Sequence, residues 1–164
     1  MMRIAELWRY PVKSMAGESL QVVDVRETGI VGDRVVHVIN AVGRTVTSRT
    51  KPKLLGYRAT LGADGEPLVD GRPWHGLDVR GAAGSDARLV RNAGVERFDI
   101  LPLLVATDGA IAAFGYDRRR LRPNIVIGGV NGLDATTLGG RDIAHERGGH
   151  RDSGFARTLH HDDI

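Results

Sequence analysis

Residues 4–14, IAELWRYPVKS, begin a strand and stop it. Ile4, Leu7, Trp8 and Tyr10 supply the apolar and aromatic side chains that suit a pleated surface, and Pro11 has no amide to give to a sheet ladder. Lys13 and Ser14 therefore fall on a loop, just past the end of a buried strand. The same kind of unit recurs along the chain. LQVVDV (20–25), RVVHVIN (34–40), RTVTSR (44–49), YRATLG (57–62), LDVR (77–80) and ARLVR (87–91) are short runs rich in β-branched residues, at spacings typical of a sandwich or barrel. Asn40 to Arg44, the Asp64-Gly65 pair of GADGEP, and LVDGRPW (68–74) have the turn chemistry of hairpin connections.

Further on, Ile100 to Ala106 is almost wholly apolar and reads as a run buried on both faces. It leads through Thr107 and Asp108 into GAIAAFG, a short helix with Thr107 or Asp108 as its cap and Gly115 as its stop. Arg122 and Pro123 then introduce a strand at Asn124 to Ile127. With no internal repeat and no flexible linker, the chain reads as one mostly-β unit with one or two short helices.

Composition narrows the possible functions. A length of 164 residues is ordinary for one domain, long enough to bury roughly two-thirds of its unfolded surface. Hydrophobic residues at 41% and charged residues at 26% speak against disorder. No apolar run approaches the roughly 20 residues of a membrane span, and the N-terminus lacks a secretory pattern, so a cytoplasmic location is expected. The absence of cysteine excludes disulfides, thiolate metal sites and cysteine nucleophiles from this chain. A net charge of +3 permits an anionic partner, while only 5% aromatic residues speaks against a stacking platform for nucleic acid.

Several positions carry chemistry. Lys13 and Ser14 suit an anion, with a solvated turn as the plain alternative. Arg34, beside Asp33 at the mouth of a strand, can grip a phosphate or carboxylate with two parallel hydrogen bonds, or can form an ion pair with Asp33. Arg49, followed by Lys51 and Lys53, forms a cationic run that can equally be a wet edge. Thr107 to Gly109, at a helix start, offers unpaired amides. Arg122 and Asn124 flank a proline where a strand begins, and can instead clamp neighbouring carbonyls. The glycines of GGVNGLDATTLGG (128–140) lack the lysine and hydroxyl of a phosphate loop. The four histidines of the tail, His145, His150, His160 and His161, have no element to orient them on a metal.

In order along the chain, ELWRYPVKSMAGESL, GIVGDRVVHVIN, TVTSRTKPKL, LLVATDGAIAAFG and LRPNIVIGG resemble the MOSC family, found at the C-terminus of molybdenum cofactor sulfurases and in amidoxime-reducing components. The resemblance covers about residues 3 to 133 and includes the family's N-terminal β-barrel segment. It implies a MOSC-type β-barrel, with residues 1–60 as the N-terminal barrel-like segment, 61–138 as a partial core and 139–164 as an aberrant polar tail. It also implies a molybdenum cofactor held by its phosphate and pterin in a basic pocket between the two β portions. By position, Lys13, Ser14 and Arg34 match the contacting residues, Arg49 joins them, and Thr107, Asp108, Arg122 and Asn124 complete the pocket. Intact relatives perform oxidoreductase or sulfur-carrier chemistry, the former with an electron-transfer partner. The resemblance departs at one point: the family's cysteine downstream of RPNIV, which ligates molybdenum or carries sulfur, has no counterpart here, and neither hydroxyl nor imidazole is as soft a donor. No lysine supports PLP chemistry.

From about Gly139 the sequence loses any helical or alternating period. A shift of one base across Gly148 to Gly154 permits Val, Val, Ile, Glu, Ile and Leu, and the Leu159–His160 junction can then contain a cysteine codon. The expectation is a truncated or frame-shifted end that leaves the barrel incomplete, with an exposed hydrophobic edge.

Overall fold

A computed structural model describes residues 1–91, 94, 101–115, 120–130 and 156–160 of this protein. Its strands in chain order are β1 (Arg3–Arg9), β2 (Glu18–Leu20), β3 (Val22–Arg26), β4 (Gly29–Ile30), β5 (Val36–Ile39), β6 (Thr45–Val46), β7 (Ala59–Leu61), β8 (Pro67–Val69), β9 (Arg72–Pro73), β10 (Arg88–Arg91), β11 (Val105–Thr107), β12 (Ile125–Gly128) and β13 (Ala156–His160). Among the described residues two short α-helices interrupt them, α1 (Arg80–Ala83) and α2 (Asp108–Phe114), together with 3-10 turns at Pro52–Gly56 and Trp74–Gly76. The fold is mostly β, as the strand-sized apolar runs require.

The described strands form four small sheets, in the orders β11-β12-β1-β2, β10-β5-β6, β13-β3-β4 and β7-β8-β9. Among the described residues no ladder joins them into a closed barrel. The first sheet unites the two ends of the described core: β1 runs antiparallel to β12, with Leu7 opposite Ile125, and β12 runs parallel to β11. A parallel bridge between Val12 and Val36 ties the segment after β1 to the second sheet.

Two apolar clusters fill the interior. The larger gathers Val12, Met15, Val36, Val38, Leu54, Val69 and Val79, and the smaller gathers Ile4, Leu7, Val23, Ile30 and Ile125. Val12 and Met15, just past β1, feed the larger cluster while Ile4 and Leu7 of β1 feed the smaller. The stretch between them is thus anchored on both sides.

The three hairpin turns form as their residues dictate. Asn40 Oδ1 accepts from the amides of Val42 and Arg44, closing the β5–β6 turn. Gly65 takes φ 80° between β7 and β8, and Asp70 and Gly71 take φ 49° and 77° between β8 and β9, the paired left-handed conformation of a tight hairpin.

Other expectations give way. LDVR is no strand: the Asp78 carboxylate accepts from the Arg80 amide and guanidinium, and the chain turns into α1, burying Ala82 and Ala83. RTVTSR keeps only Thr45 and Val46 as strand, because Thr47 O accepts from the amides of Thr50 and Lys51 in a tight turn. The run before α2 is not buried on both faces. Among the described residues β11 is an edge strand, and Leu101, Leu104 and Val105 are 70%, 42% and 46% exposed. Ile100, the 131–140 glycines, His145, His150, His161 and the expected frame change at 148–154 lie outside the described residues.

Candidate functional site

The centre of the site is a knot of hydrogen bonds around Arg34. Gly32, at φ 80°, reverses the chain after β4, and Arg34 itself takes a left-handed φ of 51°. That turn grips the end of β1 twice: the Tyr10 amide donates to Asp33 Oδ1 (2.7 Å), and the Arg34 amide donates to Tyr10 O (2.8 Å). The Arg34 guanidinium lies over the Tyr10 ring, 5.6 Å from its centroid. It donates to the Asp33 carboxylate, to Asn124 Oδ1 (3.1 Å) and to Arg122 O (3.4 Å).

Asn124 is the matching half. It is fully buried at the start of β12; its backbone pairs with Trp8 and Leu104, and its side-chain Nδ2 donates to Trp8 O (3.3 Å). Tyr10 Oη donates to Pro123 O (3.0 Å), so β1, the Asp33 turn and the Arg122-Pro123-Asn124 segment are locked to one another. Asp33 is completely buried. Burial pushes its carboxyl pKa up, and the Arg34 guanidinium and Tyr10 amide pull it part of the way back.

Two cationic segments border this knot. Arg122, at φ 50°, donates from Nη1 to Ser48 Oγ (2.8 Å), which docks the 47–51 turn, with exposed Arg49, against it. On the other side the Lys13 amide donates to Val36 O (2.8 Å), two residues beyond Arg34. Ser14, at φ 72° and only 1% exposed, keeps a buried hydroxyl with no hydrogen-bond partner.

Backbone conformation singles out the same places. Among the described residues four non-glycine positions have positive φ: Ser14, Arg34, Asp70 and Arg122. Asp70 belongs to a hairpin turn. The other three are candidate binding residues, each held at a cost of about 1–2 kcal/mol by the bonds around it.

The structure does not bring Thr107 and Asp108 into this group. Thr107 faces Ile127 on β12, three residues from Asn124 and so about 10 Å along the strand. Thr107 Oγ1 caps α2 by accepting from the Ala110 amide (3.0 Å). The Asp108 carboxylate accepts from the amides of Gly129 (2.8 Å), Val130 (3.1 Å) and Gly109 (2.8 Å). Those bonds, Gly129's first, hold its pKa below the usual carboxylate value. The amides at the helix start are thus taken up within the protein.

The ion pair of Asp33 and Arg34, read from the sequence as the plain alternative, is present, and most of the Arg34 fork is spent inside the protein. Tyr10 and Ser48 were missed. Tyr10 sits in an ordinary strand run and Ser48 in a polar turn, and only partners far along the chain give them their roles. Chemically the arrangement suits an oxyanion: Lys13, Arg49 and Arg122 supply positive charge and Ser14 a hydroxyl. No group of three His, Asp or Glu side chains placed to hold a metal occurs among the described residues.

Residues 1–73 match the family model described as the MOSC N-terminal beta barrel domain. No curated protein matches the chain.

Proposed function

Because residues 1–73 match the MOSC N-terminal beta barrel domain, we propose that this chain binds a phosphate-bearing pterin of the molybdenum-cofactor class between the Lys13-Ser14 segment and Arg122. The observation that carries the reading is the strained, buried Ser14, whose hydroxyl has no protein partner and stands beside Lys13. A buried hydroxyl left unpaired costs about 1–3 kcal/mol, and a phosphate oxygen would relieve it.

The residues fit the two ends of such a cofactor unequally. Lys13 and Ser14 would hold the phosphate, and Arg122 and Arg49 would face the polar pterin edge. Arg34 acts by position, since its bonds to Asp33, Asn124 and Arg122 O fix the loops that carry the others. The metal end does not fit: this chain has no cysteine, so it supplies no thiolate to molybdenum or to transferable sulfur. The reading is accordingly a cofactor-binding module rather than a complete oxidoreductase or sulfur carrier.

Purified protein, oxidised to convert released pterin to its fluorescent form, tests this directly. Pterin is expected to co-purify with the wild type and to be lost from Lys13→Ala. Reduction of an N-hydroxylated substrate is expected to be absent. Protein purified without pterin from cells that make the cofactor would overturn the binding reading, and turnover with bound molybdenum would overturn the module reading.

A further inference from the structure

His37 lies in the middle of β5, one residue past the Val12–Val36 bridge and the Lys13 amide bond to Val36 O. Its imidazole Nδ1 is buried without a hydrogen-bond partner, a property it shares with Ser14 Oγ. Two orphaned polar atoms thus sit on the two segments that the Val12–Val36 bridge joins; Lys13 precedes Ser14 on one segment and, one residue past the parallel bridge, is level with His37 on the other. Buried polar atoms are nearly always paired in folded proteins. A pair of exceptions around one lysine calls for an outside partner that accepts hydrogen bonds and bears negative charge.

We propose that His37 and Ser14 complete, with Lys13, a subsite for a tetrahedral oxyanion of the phosphate class, the imidazole and hydroxyl each donating one hydrogen bond to it. The inference rests on the anion-binding reading above and adds His37 as a ligand of that anion. The electrostatics agree. Burial, and then the neighbouring Lys13 ammonium, hold the imidazole pKa below its ordinary value. A dianion set between Lys13 and His37 reverses the second effect, so the imidazole takes up a proton on binding, which offsets the loss of phosphate dianion as pH falls towards 6. His37 faces Val90 across the β5–β10 ladder. Of the charged residues on β10, Arg88 is exposed and Arg91 is paired with Glu66, and the charge that acts on His37 is that of Lys13.

The probe is inorganic phosphate, titrated calorimetrically into the full chain at pH 6.0 and 7.5, with chloride at matched ionic strength as control. Wild type is expected to keep its phosphate affinity at the lower pH although less of the phosphate is dianionic there. His37→Gln is expected to bind about tenfold more weakly at pH 6.0, the scale of one hydrogen bond to a charged group, and to lose affinity from pH 7.5 to 6.0 as phosphate becomes the monoanion. Ser14→Gly, which also relieves the left-handed backbone, is expected to lose a similar factor and provides the test should His37→Gln not fold. Undiminished phosphate binding by His37→Gln, or by Ser14→Gly where only that variant folds, would overturn the proposal. If Lys13→Ala alone abolishes binding, the subsite falls while the anion-binding reading stands. If phosphate binds through His37 but no pterin co-purifies, the cofactor reading falls and the subsite stands.

Discussion

Arg34 and Asn124, 90 positions apart in the chain, are joined by a hydrogen bond of 3.1 Å from the guanidinium Nη1 to the amide Oδ1. The bond ties the turn after β4 to the first residue before β12, and the same guanidinium reaches Asp33 and Arg122 O. Its function is to hold two strained loops in one place.

Truncating that guanidinium leaves the Asp33 carboxylate buried without its cation. Removing one member of a buried pair costs about 3–5 kcal/mol, and with the Arg34 side chain 12% exposed the lower end applies. Arg34→Met is therefore expected to lose about 3 kcal/mol in denaturant unfolding. The double variant Asp33→Asn/Arg34→Met should lose clearly less than the sum of its singles. Simple additivity would show that the two side chains act independently.

Ser14→Gly should behave in the opposite sense. It removes a left-handed non-glycine residue and an unpaired buried hydroxyl, and glycine's greater freedom in the unfolded chain gives part of that back. Stability is expected to rise by up to about 1 kcal/mol while phosphate affinity falls. A loss of stability would mean that the Ser14 hydroxyl contributes to the fold itself.

Turns and caps were legible in the sequence because their chemistry is local. Asn40, the Asp64-Gly65 and Asp70-Gly71 pairs, Thr107 as a cap and Gly115 as a stop need only neighbouring residues to define them. Arg34, Arg122 and Asn124 were legible as placed residues, and their mutual contacts were not, since these cross 88 to 90 positions. The run before α2 misled because apolar composition does not say which side of a sheet is covered. Leu77 to Arg80 misled because an aspartate two residues before an amide outweighs the strand preference of its neighbours.

Stability should depend on pH through His37. Its folded pKa lies below the ordinary value of 6.5, so the unfolded chain binds the proton more readily. The contribution is fully present above about pH 6.5 and is lost as pH falls through the folded value. Denaturant midpoints of wild type are expected to drop between pH 7.5 and 5.5 without phosphate, and those of His37→Gln to drop less. Equal drops would assign the effect to other groups.

Two glycines make a paired test of packing. A Cβ on Gly17 would lie 2.2 Å from Arg9 O and 2.6 Å from Tyr10 Cδ1, against backbone and against the ring that carries Arg34. Gly56 has open space around it. Gly17→Ala is expected to cost more than about 2 kcal/mol, and Gly56→Ala to be neutral or to add up to about 1 kcal/mol, by thermal unfolding. Similar effects at both sites would contradict the close approach at Gly17.

The pairing of β1 with β12 also has a consequence for how the chain comes off the ribosome. The first strand made finds β2 within a few residues, yet its other edge must wait for Ile125 to Gly128, most of the chain later. Until then Ile4 and Leu7 lack part of their cover, and Asn124 is not there to meet Arg34. Such long-range pairing slows folding and leaves a sticky edge on the nascent chain. The Arg34–Asn124 junction is consequently among the last parts of the molecule to be assembled during synthesis, and slowing elongation before codon 124 would prolong the interval in which a chaperone is needed.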